Sequence, residues 1–350
     1  MGGLSARTGL RSGSRRSIVG MRRTATALTA LAILGAPAAA GAQTTTTTPA
    51  TTTTPAPAQA PAPAKGKLKL TLAKVGGGGV LAGTRWVVNG TLKPYVSGQK
   101  ASVRFYRRGK KIAVRQVAIN PDGSVGRFAL GFKASTPGTI TVRATHRATA
   151  ELATVIAPRV SVEVLPLRAT PGARGLAVRT LQARLARLGY VVGRRGVYDD
   201  RTARAVTAFR KVTGMARTNV ASEDVFRRLA RGQGRFRVRF PSHGRHVEAD
   251  ISRQVLALID GGKAVRIYPT STGAPATPTI LGTYRVYMKD YGTNAKGMVH
   301  SSYFIRGYAI HGYYDVPVYN ASHGCLRVPI PDADAIFNWV RLGTIVDTYR

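Results

Sequence analysis

The sequence predicts a multidomain protein of 350 residues: a β-sandwich, a three-helix module and a mostly-β C-terminal domain behind a low-complexity tract. Three observations predict it. Hydrophobic residues alternate with period two from Lys67 to Pro166, take a helical period between Ala173 and Gly234, and alternate again from Arg235 onward. A Thr run followed by Pro-Ala repeats separates the first sandwich residue from the N-terminus. A single cysteine, Cys325, sits in Ser322-His323-Gly324-Cys325-Leu326-Arg327 of the last unit.

The N-terminus reads as an export signal over residues 1–42. Arg22-Arg23 precede an apolar run from Ala25 to Ala36, and Ala40-Gly41-Ala42 supplies the small-residue cleavage pattern. Ser14-Arg15-Arg16-Ser17-Ile18-Val19 also admits a twin-arginine reading. The expected location is therefore the cell wall, periplasm or exterior, with membrane tethering if the signal stays uncleaved. Residues 43–65 lack the apolar content for a core and form an extended, semi-rigid tether.

Residues 66–166 carry six or seven short strands, the pattern of an immunoglobulin-like sandwich without its disulfide. Leu68-Leu70-Leu72, Val103-Phe105 and Val160-Val162-Val164 alternate, and Gly76-Gly79, Asn89-Gly90, Gly109-Lys110, Asp122-Gly123 and Pro137-Gly138 punctuate them as turns. Within 170–234, Val178, Leu181, Leu185 and Leu188 line one face of a helix that Gly189 stops. Asp200 is expected to cap a second helix with Val206 and Phe209, and Ser222 a third with Phe226 and Leu229. In 235–350, Phe236, Val238 and Phe240 alternate as a strand. Val255–Ile259 and Val265–Tyr268 flank Asp260-Gly261-Gly262 as a hairpin. Tyr284–Met288 reads as another strand, Asp332–Arg341 as a helix and Ile345-Val346 as the closing strand.

The formal charge of +38 arises from 53 basic and 15 acidic residues spread through every segment. Nucleic acid is the usual partner of such a chain, but export points instead to an anionic envelope polymer or membrane surface.

The chemistry concentrates near Cys325. A lone thiol in an exported chain has no disulfide partner, and its nucleophilicity needs a base such as imidazole. His311 follows the apolar run Tyr308-Ala309-Ile310 and precedes Gly312, so it can meet a thiol carried on a later loop. The glycine at 324 lets a substrate approach the backbone, where the amides of Gly324 and Cys325 can face a developing oxyanion. His323 reads as a second base or as a residue orienting the loop. Two rival readings use the same residues. Cys325 as a small buried hydrophobe conflicts with its Ser, His and Gly neighbours. A zinc site from His300, His311, His323 and Cys325 matches no compact ligand spacing; thiol chemistry of the kind the resemblance below implies calls for no metal or organic cofactor. His146, His243 and His246 show no partner in the sequence.

Two family resemblances follow from these motifs. Gly175, Val178, Leu181-Gln182, Leu185, Leu188-Gly189-Tyr190, Gly196-Val197-Tyr198, Thr202, Ala205-Val206 and Phe209 resemble the small helical peptidoglycan-binding domain of cell-wall enzymes. Arg195 and Arg210 stand where that family usually has Asp and Gln. Further on, Tyr268-Pro269-Thr270-Ser271-Thr272-Gly273, Thr277-Pro278-Thr279, Gly282-Thr283-Tyr284, Ala309-Ile310-His311-Gly312, Ser322-His323-Gly324-Cys325-Leu326-Arg327 and Gly343-Thr344 resemble the L,D-transpeptidase catalytic domain of YkuD type. That resemblance implies Cys325 as the acylated nucleophile, His311 as proton donor and acceptor, and the Gly312 carbonyl as the group orienting its ring. It also implies oxyanion-hole amides at His323, Gly324 and Cys325, and substrate contacts from Ser322 and Arg327. The implied partners are peptidoglycan stem peptides, as donor and as acceptor of a 3→3 cross-link formed through a thioester. The alternatives are an L,D-carboxypeptidase that uses water as acceptor and a non-catalytic wall-binding protein.

Overall fold

The computed structural model describes residues 61–350; the expected export signal and most of the tether lie outside the described residues. Ten strands build the N-terminal sandwich: β1 (Lys67–Ala73), β2 (Gly79–Leu81), β3 (Arg85–Lys93), β4 (Lys100–Arg107), β5 (Lys110–Ala118), β6 (Asn120–Asp122), β7 (Val125–Lys133), β8 (Gly138–His146), β9 (Val155–Ile156) and β10 (Val160–Leu165). One sheet runs β1-β3-β7-β6 and the other β2-β10-β8-β4-β5, with β9 on β8. Alternation explains the shared core, since Trp86 and Val88 of β3 and Phe105 and Val103 of β4 turn inward from opposite sheets.

The count exceeds the expected six or seven because β2, β6 and β9 are too short to show alternation. Asn89-Gly90 is no turn but lies inside β3. The Phe128 ring covers Gly90 so closely that a Cβ there would stand 2.0 Å from it. That glycine makes room for an aromatic on the neighbouring strand.

Three helices follow: α1 (Leu176–Arg187), α2 (Asp200–Val212) and α3 (Glu223–Ala230). The cap of α2 is Asp199, not Asp200; its carboxylate accepts from the Thr202 amide at 2.9 Å. Arg210, the unusual residue after Phe209, is buried and donates to the carbonyls of Ala216 and Val220, so it holds the following loop.

The C-terminal domain holds β11 (His246–Asp250), β12 (Val255–Asp260), β13 (Lys263–Pro269), β14 (Gly282–Arg285), β15 (Met288–Thr293), β16 (Val299–Ile305), β17 (Tyr308–Tyr313), β18 (Leu326–Pro329), α4 (Ile330–Trp339) and β19 (Ile345–Tyr349). They form a five-stranded sheet β13-β12-β11-β19-β14 and a four-stranded sheet β15-β16-β17-β18 around one core. The expected strand at Tyr284–Met288 is two strands, because the chain changes sheets there. Val286 donates to Thr344 of the first sheet's loop, and Tyr287 to Tyr303 of the second. α4 starts and ends two residues before the expected span, with Pro331 in its first turn.

Phe236, Val238 and Phe240 form no strand. The amides of Arg239 and Phe240 donate to the Glu248 carboxylate at 2.8–3.0 Å and leave no ladder to join. The same carboxylate sits 3.1 Å from His246, and His243 lies 3.0 Å from Asp347. Both histidines thus have the partners that the sequence did not reveal.

Strand β12 explains how the helical module is fixed. Its run Val255–Ile259 is buried on both faces. Leu256 and Leu258 face the core of the C-terminal domain, whereas Val255, Ala257 and Ile259 join a cluster with Phe209 and Leu185 of the helices. The contact is polar as well: Arg201 and Arg204 of α2 each lie 3.0 Å from the buried Asp332 of α4. Lys211 is buried and donates to the Gln254 and Thr270 carbonyls at 3.1 and 3.0 Å. Among the described residues, no helix is long and apolar enough to cross a membrane.

Burial, with Arg217 nearby, brings the Lys211 pKa down to about 7. The unfolded chain therefore binds more protons between that value and the ordinary lysine range near about 10.4, and stability must rise with pH across that window. Thermal unfolding should show the wild type gaining stability from pH 7 to 9 more steeply than Lys211→Met. Equal slopes would assign the buried ammonium no part in the interface.

Candidate active site

Strands β17 and β18 pair in parallel, with Ile310 opposite Leu326 and His311 opposite Arg327. Cys325 is the residue just before β18. The ladder therefore sets the cysteine loop beside the middle of β17, and both side chains line one cavity of about 290 Å³. Its walls also include Lys296, Gly307, Tyr313 and Arg327. Larger cavities exist elsewhere, but this one holds the thiol and the imidazole.

His311 is buried, and its Nδ1 lies 2.9 Å from the Gly312 carbonyl oxygen. That bond makes Nδ1 the donor and leaves Nε2 as the basic nitrogen. Burial, reinforced by Arg327 against the pull of the Gly312 carbonyl, lowers the His311 pKa to about 4. Burial also raises the Cys325 thiol, although the Ala309 amide, Arg327 and Lys296 oppose it. At neutral pH the resting pair is a thiol and a neutral imidazole.

Arg327 stacks over the Tyr313 ring at 4.2 Å, and Tyr313 meets the His311 ring edge to face at 5.6 Å. The guanidinium thus stays in the cavity wall, with Asp315 3.9 Å away at its exposed side. His323 is exposed at the rim. His300 belongs to a different place: its Nδ1 accepts from the Gly292 amide at 3.1 Å and its ring stacks on Tyr291. Among the described residues, no three His, Cys, Asp or Glu side chains converge as metal ligands.

Two expected site residues bond to each other. Ser322 lines the cavity but is largely buried, and its hydroxyl donates to the Cys325 carbonyl at 2.7 Å while accepting from the Gly324 amide at 3.1 Å. Ser322 therefore shapes the loop from within, and the Gly324 amide is engaged by that hydroxyl. The amides of His323 and Cys325 have no acceptor among the described residues. Gly324 itself is needed for another reason: φ is +108°, and a Cβ would stand 1.7 Å from the Tyr308 ring.

The segment Thr270–Thr279 holds this loop, a role that the sequence did not announce. Ser271 and Arg327 exchange backbone hydrogen bonds, and the Thr272 carbonyl accepts from the Ala321 and Ser322 amides. The buried Thr279 hydroxyl accepts from the Gly273 amide at 2.9 Å and donates to the Gly324 carbonyl at 2.8 Å. The run of small hydroxyl residues there was the available signal, because buried hydroxyls need partners and here the partners are loop backbone. Lys296 and Tyr313 carried no signal, since each lies in a segment without a recognisable motif.

Comparison with known proteins agrees with the geometry. Residues 244–347 match the model of the L,D-transpeptidase catalytic domain (YkuD), and residues 174–229 match that of a peptidoglycan binding domain. An L,D-transpeptidase from Xylanimonas cellulosilytica is 33% identical over 53% of this chain and 98% of that one, with a TM-score of 0.48. The catalytic domain of an Enterococcus faecium L,D-transpeptidase is 24% identical over 31% and 98%, with a TM-score of 0.28. An L,D-transpeptidase from Mycobacterium smegmatis is 13% identical over 81% and 99%, also at 0.28. Curated proteins return no match.

Thr279→Val removes both hydrogen bonds while keeping the volume. It should destabilise the protein by about 1–3 kcal/mol in thermal or urea unfolding and slow modification of Cys325 by a peptide donor. Thr279→Ser should restore both. Full reactivity in the valine variant would remove this hydroxyl from the site.

Proposed function

The chain belongs to the L,D-transpeptidase family through its catalytic domain at residues 244–347, and on that premise we propose that Cys325 forms a thioester with a peptidoglycan stem peptide and passes it to an amine. The observation that carries this reading is the shared cavity of Cys325 and His311, with the imidazole fixed by the Gly312 carbonyl. The donor is a tetrapeptide stem. As the sulfur attacks the carbonyl of its third residue, Nε2 of His311 takes the thiol proton. The amides of His323 and Cys325 face the developing oxyanion. The imidazolium then gives its proton to the departing D-alanine amine, and the C–N bond breaks to leave the thioester. A side-chain amine of a second stem attacks that thioester, His311 takes its proton, and the thiol leaves as the 3→3 cross-link forms.

A neutral starting pair suits this sequence. Burial disfavours a standing thiolate–imidazolium pair, so charge develops only while the substrate excludes water and brings its own carbonyl. Arg327 and Lys296 give the cavity a positive wall that suits a substrate carboxylate. The helical module packs directly against β12, and it would hold the glycan while the catalytic domain reaches its peptides. We read the N-terminal sandwich as an immunoglobulin-like spacer. Its strand order supports this, with β1-β3-β7-β6 opposite β2-β10-β8-β4-β5, the four- and three-stranded sheets of that fold with β2 and β5 added at the edges of the second. Export to the cell wall and a peptidoglycan partner follow from the same reading.

Incubation with a disaccharide-tetrapeptide should add the acyl mass to the wild type, less D-alanine, and yield 3→3 dimers. Cys325→Ala should show neither. An adduct on that variant would refute the assignment, and tripeptides without dimers would indicate hydrolysis instead of transfer. Because His311 titrates at about 4, the acylation rate should stay level from about pH 5.5 to 8 and fall below about pH 5 as the base protonates. An acid limb centred near 6.5 would place an ordinary histidine there.

A further inference from the structure

A cavity of about 450 Å³ lies where the sandwich meets α1, far in sequence from the thiol. Its cationic wall consists of Lys74, Arg179, Arg184, Arg187 and Arg195, and no Asp or Glu lines it. Positions 179, 183/184 and 187 recur at helical spacing, so the arginines of α1 form one stripe facing the sandwich. None of these five side chains has a carboxylate within salt-bridge reach among the described residues. Glu163 comes near only through its backbone, whose amide donates to the Gly78 carbonyl.

One detail separates this cavity from an ordinary basic surface: Arg184 is partly buried in its wall, and burial together with the neighbouring Arg187 lowers its pKa, as expected of a cation without a counter-charge. Opposite it, the exposed Gly77 lines the cavity at the tip of the turn closed by Gly76 and Gly79, and its amide has no acceptor among the described residues. Arg195 adds a further positive charge at this rim.

We propose that this cavity binds a phosphate or phosphodiester group, held by the guanidinium of Arg184, the neighbouring cations and the Gly77 amide. Planar guanidinium forks and backbone amides match a multi-oxygen tetrahedral anion better than a single carboxylate. The volume exceeds one bare phosphate, so a repeat of a phosphodiester-linked polyol chain fits as well. No aromatic side chain lines the cavity to stack a base, which argues against nucleic acid. The site is independent of the thiol chemistry, and its success or failure leaves the proposed reaction untouched. It would anchor the sandwich–helix junction to an anionic polymer while the catalytic domain works on peptide.

The test is calorimetric titration of the full chain in about 0.15 M salt, which screens diffuse attraction by a +38 surface. The probes are inorganic phosphate, a glycerol-phosphate oligomer and a single-stranded oligonucleotide. Phosphate or the oligomer should bind, and Arg184→Met and Arg187→Gln should each weaken binding at least tenfold. Arg147→Gln, an exposed arginine on the sandwich and outside this cavity, should leave it unchanged. Without phosphate, Arg184→Met should melt no lower than wild type, because it removes a partly buried cation without a counter-charge; this also shows that the variant folds. Oligomer binding well above free phosphate identifies a polymeric source, and the reverse a small anion. Equal weakening by Arg147→Gln, no binding of either phosphate probe, or tightest binding of the oligonucleotide would overturn the proposal.

Discussion

The parallel ladder between Tyr308–Tyr313 and Leu326–Pro329 is the constraint on which the site depends. Parallel neighbours need a long connection, and here it is the twelve-residue excursion that returns through Ser322-His323-Gly324-Cys325. The ladder fixes where that excursion ends, but not its shape. Shape comes from hydroxyls: Ser322 ties the turn to itself, while Thr279 ties it to the segment after β13. The Tyr308 ring then closes over Gly324, so the strand that carries the base also presses on the loop that carries the thiol.

Burial sets the protonation of this pair. Both groups are shielded, and shielding pushes imidazole down and thiol up, which stores no charge at rest. Arg327 reinforces burial on the base, whereas Arg327 and Lys296 both oppose it on the thiol. Arg327 is kept from wandering by the Tyr313 ring, which in turn borders His311, so position and electrostatics are coupled through one aromatic contact. Farther away, the buried Glu248 gathers His246, Tyr349 and two backbone amides on the opposite sheet. It organises the entry into the catalytic domain without touching the cavity.

Periodicity made much of this architecture legible. The helices with Leu181, Phe209 and Phe226 inside, the hairpin through Asp260-Gly261-Gly262, and the alternating strands of the sandwich all follow from apolar spacing. The motif around Cys325 drew attention to the loop that shares a cavity with His311. What the pattern missed depends on partners distant in the chain. Phe236–Phe240 alternates like a strand, but Glu248 takes its amides; Asn89-Gly90 looks like a turn, but Phe128 needs the space. Ser322 and the Gly324 amide looked available to substrate because nothing in the sequence says that they bond to each other. The fusion of the helical module with the outer face of β12 was also hidden, since a run such as Val255–Ile259 announces two-sided burial without naming what covers each side.

The claim beneath the rest is that a neutral imidazole, protonated at Nδ1 by virtue of the Gly312 carbonyl, shares its cavity with an un-ionised thiol and leaves Nε2 bare. Nitrogen-15 resonance of the His311 ring in the full-length protein observes this directly. The account requires one protonated and one unprotonated nitrogen at pH 7, persisting until the pH falls towards about 4. Two protonated nitrogens at pH 7, reverting to one when Cys325 is replaced by alanine, would show a preformed ion pair and contradict it.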